Sequence, residues 1–133
     1  MLMFESVGAD LSDPTMEIEA HRHIRERLGS DMAAFVIDHP SEPGRLVASV
    51  AGTVARRLPN PSNPTAMVGY VQWVCTDPAF RQRGLAKSAM ESLLGWFEAK
   101  GAPVVELHAT SMAEHLYESL GFGDAAGRPM RRR

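Results

Sequence analysis

Chemistry in this chain concentrates at one turn, Arg81-Gln82-Arg83-Gly84-Leu85-Ala86. Two arginines and a glycine stand where an apolar, strand-like run gives way to a helical period. The first N–H groups of a helix have no intrahelical partner, and the helix macrodipole adds partial positive charge there. Anionic phosphate is the natural ligand of such a turn. Gly84 would let a ligand approach the backbone, and Ala86 keeps the next position small. The same spacing also fits an ordinary strand-to-helix turn carrying a solvated arginine pair. A Walker loop is excluded, because no G-x-x-x-x-G-K-[ST] is present.

The elements that must position this turn can be read on both sides of it. Residues 69–76, GYVQWVCT, form an apolar, β-branched run that predicts a strand, which Asp77-Pro78 stops. Beyond Gly84, Leu85, Ala89, Leu93 and Phe97 make one i, i+4 row, and Ala86, Met90 and Leu94 make the row beside it. That is an amphipathic helix with a broad buried face. Lys100 suits its negative end, Gly101 its C-terminal cap and Pro103 its stop. Residues 104–109 predict the next strand of a right-handed βαβ crossover.

Upstream, residues 1–8 read as the last turns of a helix, and Asp13-Pro14 as the cap and first turn of another. Its i+4 row is Met16, Ala20, Ile24 and Leu28, ended by Gly29. His21 and His23 point to different faces of it and do not make a shared metal site. Met32–Asp38 and residues 46–55, interrupted at Gly52, predict an antiparallel hairpin around the turn at 39–44. The segment 56–64, with three prolines, reads as a stiff loop. Downstream, Ser111 and Glu114 have capping-box spacing for a short helix that Gly121 ends. In such an ending Phe122 packs towards Leu116 and Tyr117. The tail adds a last strand near residues 129–132, and its arginines read as a solvated end.

Arg81-x-x-Gly84-x-Ala86 after a strand resembles the R/Q-x-x-G-x-G/A signature of the GNAT N-acyltransferases, which bind acyl-coenzyme A. The preceding VxTDPAFR run, Val74 to Arg81, and the LYESLGF run, Leu116 to Phe122, extend the likeness over residues 67–123. The resemblance implies an α/β (α+β) fold: a single-domain mixed sheet, largely antiparallel, with helices on both faces. It implies that the turn formed by Arg81, Gln82, Arg83, Gly84, Leu85 and Ala86 holds the coenzyme's pyrophosphate. It implies that the backbone of Val74, Cys75 and Thr76 holds the pantetheine arm, and that an N–H near Val74 or Cys75 is the oxyanion donor. Tyr117 matches the tyrosine that many of these enzymes use as general acid to the leaving thiolate. The alternative for Tyr117 is a hydroxyl that only hydrogen-bonds the coenzyme sulfur or a core carbonyl.

The implied reaction is N-acetyl transfer from acetyl-CoA, by direct attack of a primary amine in a ternary complex. It needs a proton donor near sulfur, an oxyanion donor and a route for the amine's proton. The base is not readable. Residues 69–76 hold no carboxylate, while Glu106 and His108 on the next strand are candidates and a water chain serves equally. Where the family often has an asparagine before the closing helix, this chain has Thr110 and Ser111. Cys75 reads as a small buried residue rather than a nucleophile. Family chains usually begin with a strand and a full helix ahead of the part resembling Met1 onward. Either the start lies upstream, or the first strand is absent and Met32–Asp38 has an open edge, which predicts a homodimer. The second functional reading is therefore an acyl-CoA-binding protein with weak or no chemistry.

The bounds of the chain agree with these expectations. Its 133 residues, 44% apolar and 23% charged, suit one domain, 1–133, with a single core. A net charge of −2 gives no footprint for nucleic acid. One cysteine allows no internal disulfide and suits a reducing, cytoplasmic setting. No apolar run is long enough to span a membrane, and no signal peptide is read at the start. The expected partners are acetyl-CoA and a small-molecule or peptide amine, with no metal.

Overall fold

The computed structural model describes residues 14–133. The helix end read into residues 1–8 and the Asp13 cap lie outside the described residues. The elements are helix α1 (Pro14–Arg27), strands β1 (Met32–Asp38), β2 (Leu46–Arg56) and β3 (Met67–Thr76), helix α2 (Leu85–Ala99), strand β4 (Val104–Glu106) and helix α3 (Glu114–Ser119). Short 3₁₀ turns at Pro78–Phe80 and Ser111–Ala113 lead towards α2 and α3. The sheet runs β1-β2-β3-β4. Its first two pairings are antiparallel and β3–β4 is parallel, so it is the mixed, largely antiparallel sheet expected.

Helix α2 buries the face its periodicity marks. Met90, Leu93 and Phe97 are fully enclosed, and they join Ala33, Val50 and Val71 of three strands in one core. Two strand glycines make room for it. A Cβ on Gly52 would lie 2.5 Å from Phe97 Cζ, and one on Gly69 would lie 2.7 Å from Phe97 Cδ1. The Phe97 ring thus lies against bare backbone of β2 and β3. Gly52 does not interrupt β2, as the sequence suggested. The strand is continuous, and the discontinuity is a register shift against β3 between Ala51 and Gly52. A shift of this kind leaves one residue unpaired and increases local twist. The opposite face of β2 is buried too, over Val47, Ser49 and Ala51.

Both helix endings after the site are glycine caps of the same type. Gly101 (φ +76°) lets its N–H reach Glu98 and the Ala102 N–H reach Phe97, each at 3.0 Å. Gly121 (φ +92°) repeats this with Glu118 and with Phe122 to Tyr117, each at 3.0 Å. These are Schellman endings, and they satisfy carbonyls that the helices leave open.

Three expectations are corrected. Strand β4 stops at Glu106 rather than Ala109, because β3 pairs with it at only three positions. The Ser111/Glu114 capping box does not form: a 3₁₀ turn precedes α3, and neither Thr110 nor Ala113 makes a side-chain cap. No strand forms at 129–132. Pro129 has no N–H to donate, and Gly127 (φ +80°) turns the chain just before it. Leu28, the last residue of the predicted row, lies just beyond α1 and is half exposed.

Candidate active site

Strand β3 has two halves. Val68, Gly69 and Tyr70 pair with Val104, Val105 and Glu106 of β4. From Val71 to Thr76, β3 keeps β2 on one side and, among the described residues, has no strand on the other. The ladder fixes which backbone groups face that open side. Asp77 N–H donates to Val47 C=O at 2.8 Å, and the same register sets Cys75 opposite Ser49 and Val74 opposite Val50. Hydrogen-bonded and non-bonded pairs alternate along an antiparallel ladder. Cys75 therefore turns its N–H and C=O to β2, while Val74 and Thr76 turn theirs outward. Of the two positions read as oxyanion donor, Val74 presents its N–H to the open side. The Thr76 carbonyl accepts Arg81 Nε at 3.4 Å.

The turn after β3 is latched to the β1–β2 hairpin. Asp77 Oδ1 accepts the Ala79 N–H at 3.0 Å, and Arg45 Nη2 donates to Asp77 Oδ2 at 2.7 Å while its Nη1 holds Glu42 at 2.6 Å. The Arg45 guanidinium, and then the Ala79 N–H, hold the Asp77 carboxyl below the usual carboxylate range. The latch is therefore charged at neutral pH and weakens only as pH falls through that lowered value. Phe80 sits between His39, edge-on at 5.1 Å, and the Arg83 guanidinium, 5.0 Å from its centroid. Cation–π contact holds Arg83 over the ring.

Two left-handed residues shape the turn itself, Gln82 (φ +62°) and Gly84 (φ +75°). Glycine signals the second, whereas Gln82 carries a cost of about 1–2 kcal/mol that its type does not announce. Gly84 gives no side-chain cap, and the first intrahelical bond of α2 runs from Ser88 N–H to Gly84 C=O at 3.0 Å. The N–H groups of Leu85, Ala86 and Lys87 are thus left for an outside acceptor.

These pieces enclose a cleft of about 420 Å³. Val74, Cys75, Thr76, Arg81, Gln82, Gly84, Leu85 and Ala86 all line it, facing Thr110, Met112, Ala113 and Leu116. Two of the residues named from sequence are not in that lining. Arg83 lies on Phe80, and Tyr117 is buried behind Leu116 in the core cluster, its ring edge-on to Phe122 at 6.1 Å. Burial pushes the Tyr117 hydroxyl above the usual tyrosine range. Among the described residues no group hydrogen-bonds that hydroxyl, so the core-carbonyl alternative has no partner there. Cys75 is buried, with its thiol against Ser49 C=O at 3.4 Å.

The two candidate bases have different surroundings. Glu106 is ion-paired with Arg57 at 3.1 Å. His108 is exposed, and its Nδ1 is hydrogen-bonded to the Tyr70 hydroxyl, the two rings lying 5.7 Å apart. Sequence reading passed over Tyr70, because nothing in the spacing shows that residues 38 apart meet across two strands. Among the described residues no cluster of three or more histidines, cysteines or carboxylates is placed to hold a metal. No helix there is long and apolar enough to cross a membrane.

The acetyltransferase (GNAT) family model matches residues 4–122. The chain belongs to the GNAT family. Solved structures share its fold. A predicted acetyltransferase from Clostridium acetobutylicum, solved with acetyl-CoA, superposes with a TM-score of 0.80 at 19% identity, over 94% of this chain and 79% of that one. A GCN5-related N-acetyltransferase from Ralstonia eutropha reaches 0.76 at 26% identity, over 98% and 85%. Glucosamine-6-phosphate N-acetyltransferase from Arabidopsis thaliana reaches 0.77 at 19% identity, over 98% and 86%. No curated protein matches the chain. In this GNAT chain the unpaired end of β3, the latched turn, the start of α2 and the closing helix all border one cleft.

Proposed function

We propose that the chain is an N-acetyltransferase that moves an acetyl group from acetyl-CoA to a primary amine by direct attack within a ternary complex. The cleft carries this reading, because an open strand edge and an uncapped helix start border the same space. The pyrophosphate lies on the N–H groups of Leu85, Ala86 and Lys87, beside Arg81 and Gln82. The pantetheine arm runs back along Thr76 and Val74, whose outward backbone groups extend the ladder as a missing strand would. The Val74 N–H is the oxyanion donor. Tyr117 is the general acid to the departing thiolate, a role supported by the likeness of the Leu116–Phe122 run to the family's closing helix. Its hydroxyl is protonated at neutral pH, as an ordinary tyrosine's is. Holding both substrates together supplies much of the rate without a covalent intermediate. The Clostridium relative solved with acetyl-CoA supports the choice of co-substrate.

Release of free thiol from acetyl-CoA, followed against a panel of small amines and peptides, tests the activity. The binding mode is tested at Gly84. Its surroundings are open, with nothing within 4 Å of an added Cβ, and asparagine and aspartate both tolerate a left-handed backbone. Gly84→Asn and Gly84→Asp therefore differ only in charge. By calorimetry Gly84→Asp loses about tenfold or more in CoA affinity relative to Gly84→Asn, about 1.4 kcal/mol. Equal affinities for the two variants would remove the pyrophosphate from this turn.

A further inference from the structure

The parting of β3 from β4 begins at Tyr70 and Glu106, the last paired positions. A Cβ on Gly69 would meet Phe97 of α2, so the adjoining Tyr70 points to the opposite face of the sheet. Glu106 pairs with Tyr70 and shares that face. His108, two residues on, returns to it and meets the Tyr70 hydroxyl. The pair spans the vertex of the gap, one partner from each diverging segment. In the function proposed above, on which this inference rests, the coenzyme runs from the 81–86 turn along Thr76 and Val74 towards that vertex. Its thioester end is the end nearest Tyr70.

We infer that Tyr70 and His108 form the relay that takes the proton from the acceptor amine, entering from the face turned away from α2. Tyr70 touches the amine, and His108 is the positioning and proton-accepting residue behind it. With His108 protonated on Nε2, its Nδ1 accepts the Tyr70 hydroxyl. As an ammonium N–H bond breaks, that proton forms a new O–H bond at Tyr70 Oη, and the hydroxyl's own proton passes to His108 Nδ1. The exposed imidazolium then releases its Nε2 proton to water. That leaves His108 as its Nδ1–H tautomer, and proton exchange with water returns the hydrogen to Nε2. One proton has then moved from amine to solvent, both residues are restored, and the freed nitrogen lone pair is ready for the thioester carbonyl. The charged groups around the relay are Glu106, on the same face, and Arg57, which pairs with it. That pairing occupies the carboxylate that would otherwise compete for the role.

The test uses the full chain and an amine that the thiol-release assay has identified. His108→Ala and Tyr70→Phe each lower kcat/KM for the amine about 10²-fold. Acetyl-CoA affinity by calorimetry stays unchanged in both. Added imidazole restores part of the activity of His108→Ala and none of Tyr70→Phe, and the double variant is no slower than either single. A purely structural role would show no imidazole rescue. If His108→Ala does not fold, His108→Gln is measured for the same loss. Wild-type kcat/KM in a folded His108 variant, or equal rescue of both single variants, overturns the relay while leaving the acetyl transfer intact. A wild-type protein that binds acetyl-CoA yet acetylates no amine overturns the transferase reading itself.

Discussion

Replacing Tyr117 by phenylalanine lowers kcat about 10²-fold, about 2.7 kcal/mol of transition-state stabilisation, and leaves the KM for acetyl-CoA near its original value. The ring is retained, so its edge-on contact with Phe122 and the glycine cap at Gly121 survive the change. Only the hydroxyl is lost, and no described protein group depends on it. A tyrosine hydroxyl is protonated at neutral pH, and burial shifts the pKa of this one further upward. A thiol titrates near 8.5 and a tyrosine near 10, so full transfer from tyrosine to thiolate is uphill. In the proposed acid role, donation is therefore concerted with C–S cleavage, or the tyrosinate is quickly reprotonated by water. Either route places the effect on turnover and spares binding. Steady-state kinetics on a folded variant, under conditions where chemistry limits the rate, decide it. Turnover at the original rate would make water the proton donor.

Gly69→Ala destabilises the protein by about 1–3 kcal/mol, the range for forcing a methyl into a packed core. Three atoms of the Phe97 ring lie within 2.9 Å of the added carbon, and that ring is fully buried. A phenyl ring cannot bend aside as a flexible chain would, so α2 must shift or the strand must bow. For a domain of this size the change is a fall of about 4 °C in Tm per kcal/mol. Gly52→Ala is worse, because its methyl would also meet the Tyr70 carbonyl at 3.0 Å. In a Phe97→Leu background the smaller, more adaptable side chain relieves the clash. There Gly69→Ala costs at least about 1 kcal/mol less than in the original protein, a coupling within the range of contacting pairs. Thermal or denaturant unfolding of the four proteins measures this, and additive losses would disprove the wedge.

Much of this architecture is legible in the residues. The change of period at Gly84, the two glycine helix endings and the strand before Asp77 depend on neighbours within a few positions, where local rules operate. Eight of the nine turn and strand residues read as coenzyme contacts line one cleft. What escaped reading depends on the third dimension. Gly52 reads as a strand breaker until Phe97 is seen across from it. The Ser111/Glu114 spacing fits a cap, but the chain enters α3 through a 3₁₀ turn instead. Val104 to Ala109 has strand character throughout, yet β4 ends where β3 diverges, and residue types do not encode divergence. Tyr70 and His108 join for the same reason: strand pairing, not spacing, brings them together.

The open flank of β3 also gives the molecule a built-in reporter of occupancy. Backbone amides along that strand alternate between one set secured by β2 and another directed at solvent. In amide hydrogen exchange, Val74 and Thr76 should trade their protons for deuterium quickly while Cys75 between them trades slowly. Acetyl-CoA lying along the flank would slow the fast set and leave Cys75 as it was. An isotope pattern that alternates in the free protein and evens out on binding would register the ligand as a surrogate strand, with no turnover and no knowledge of the acceptor.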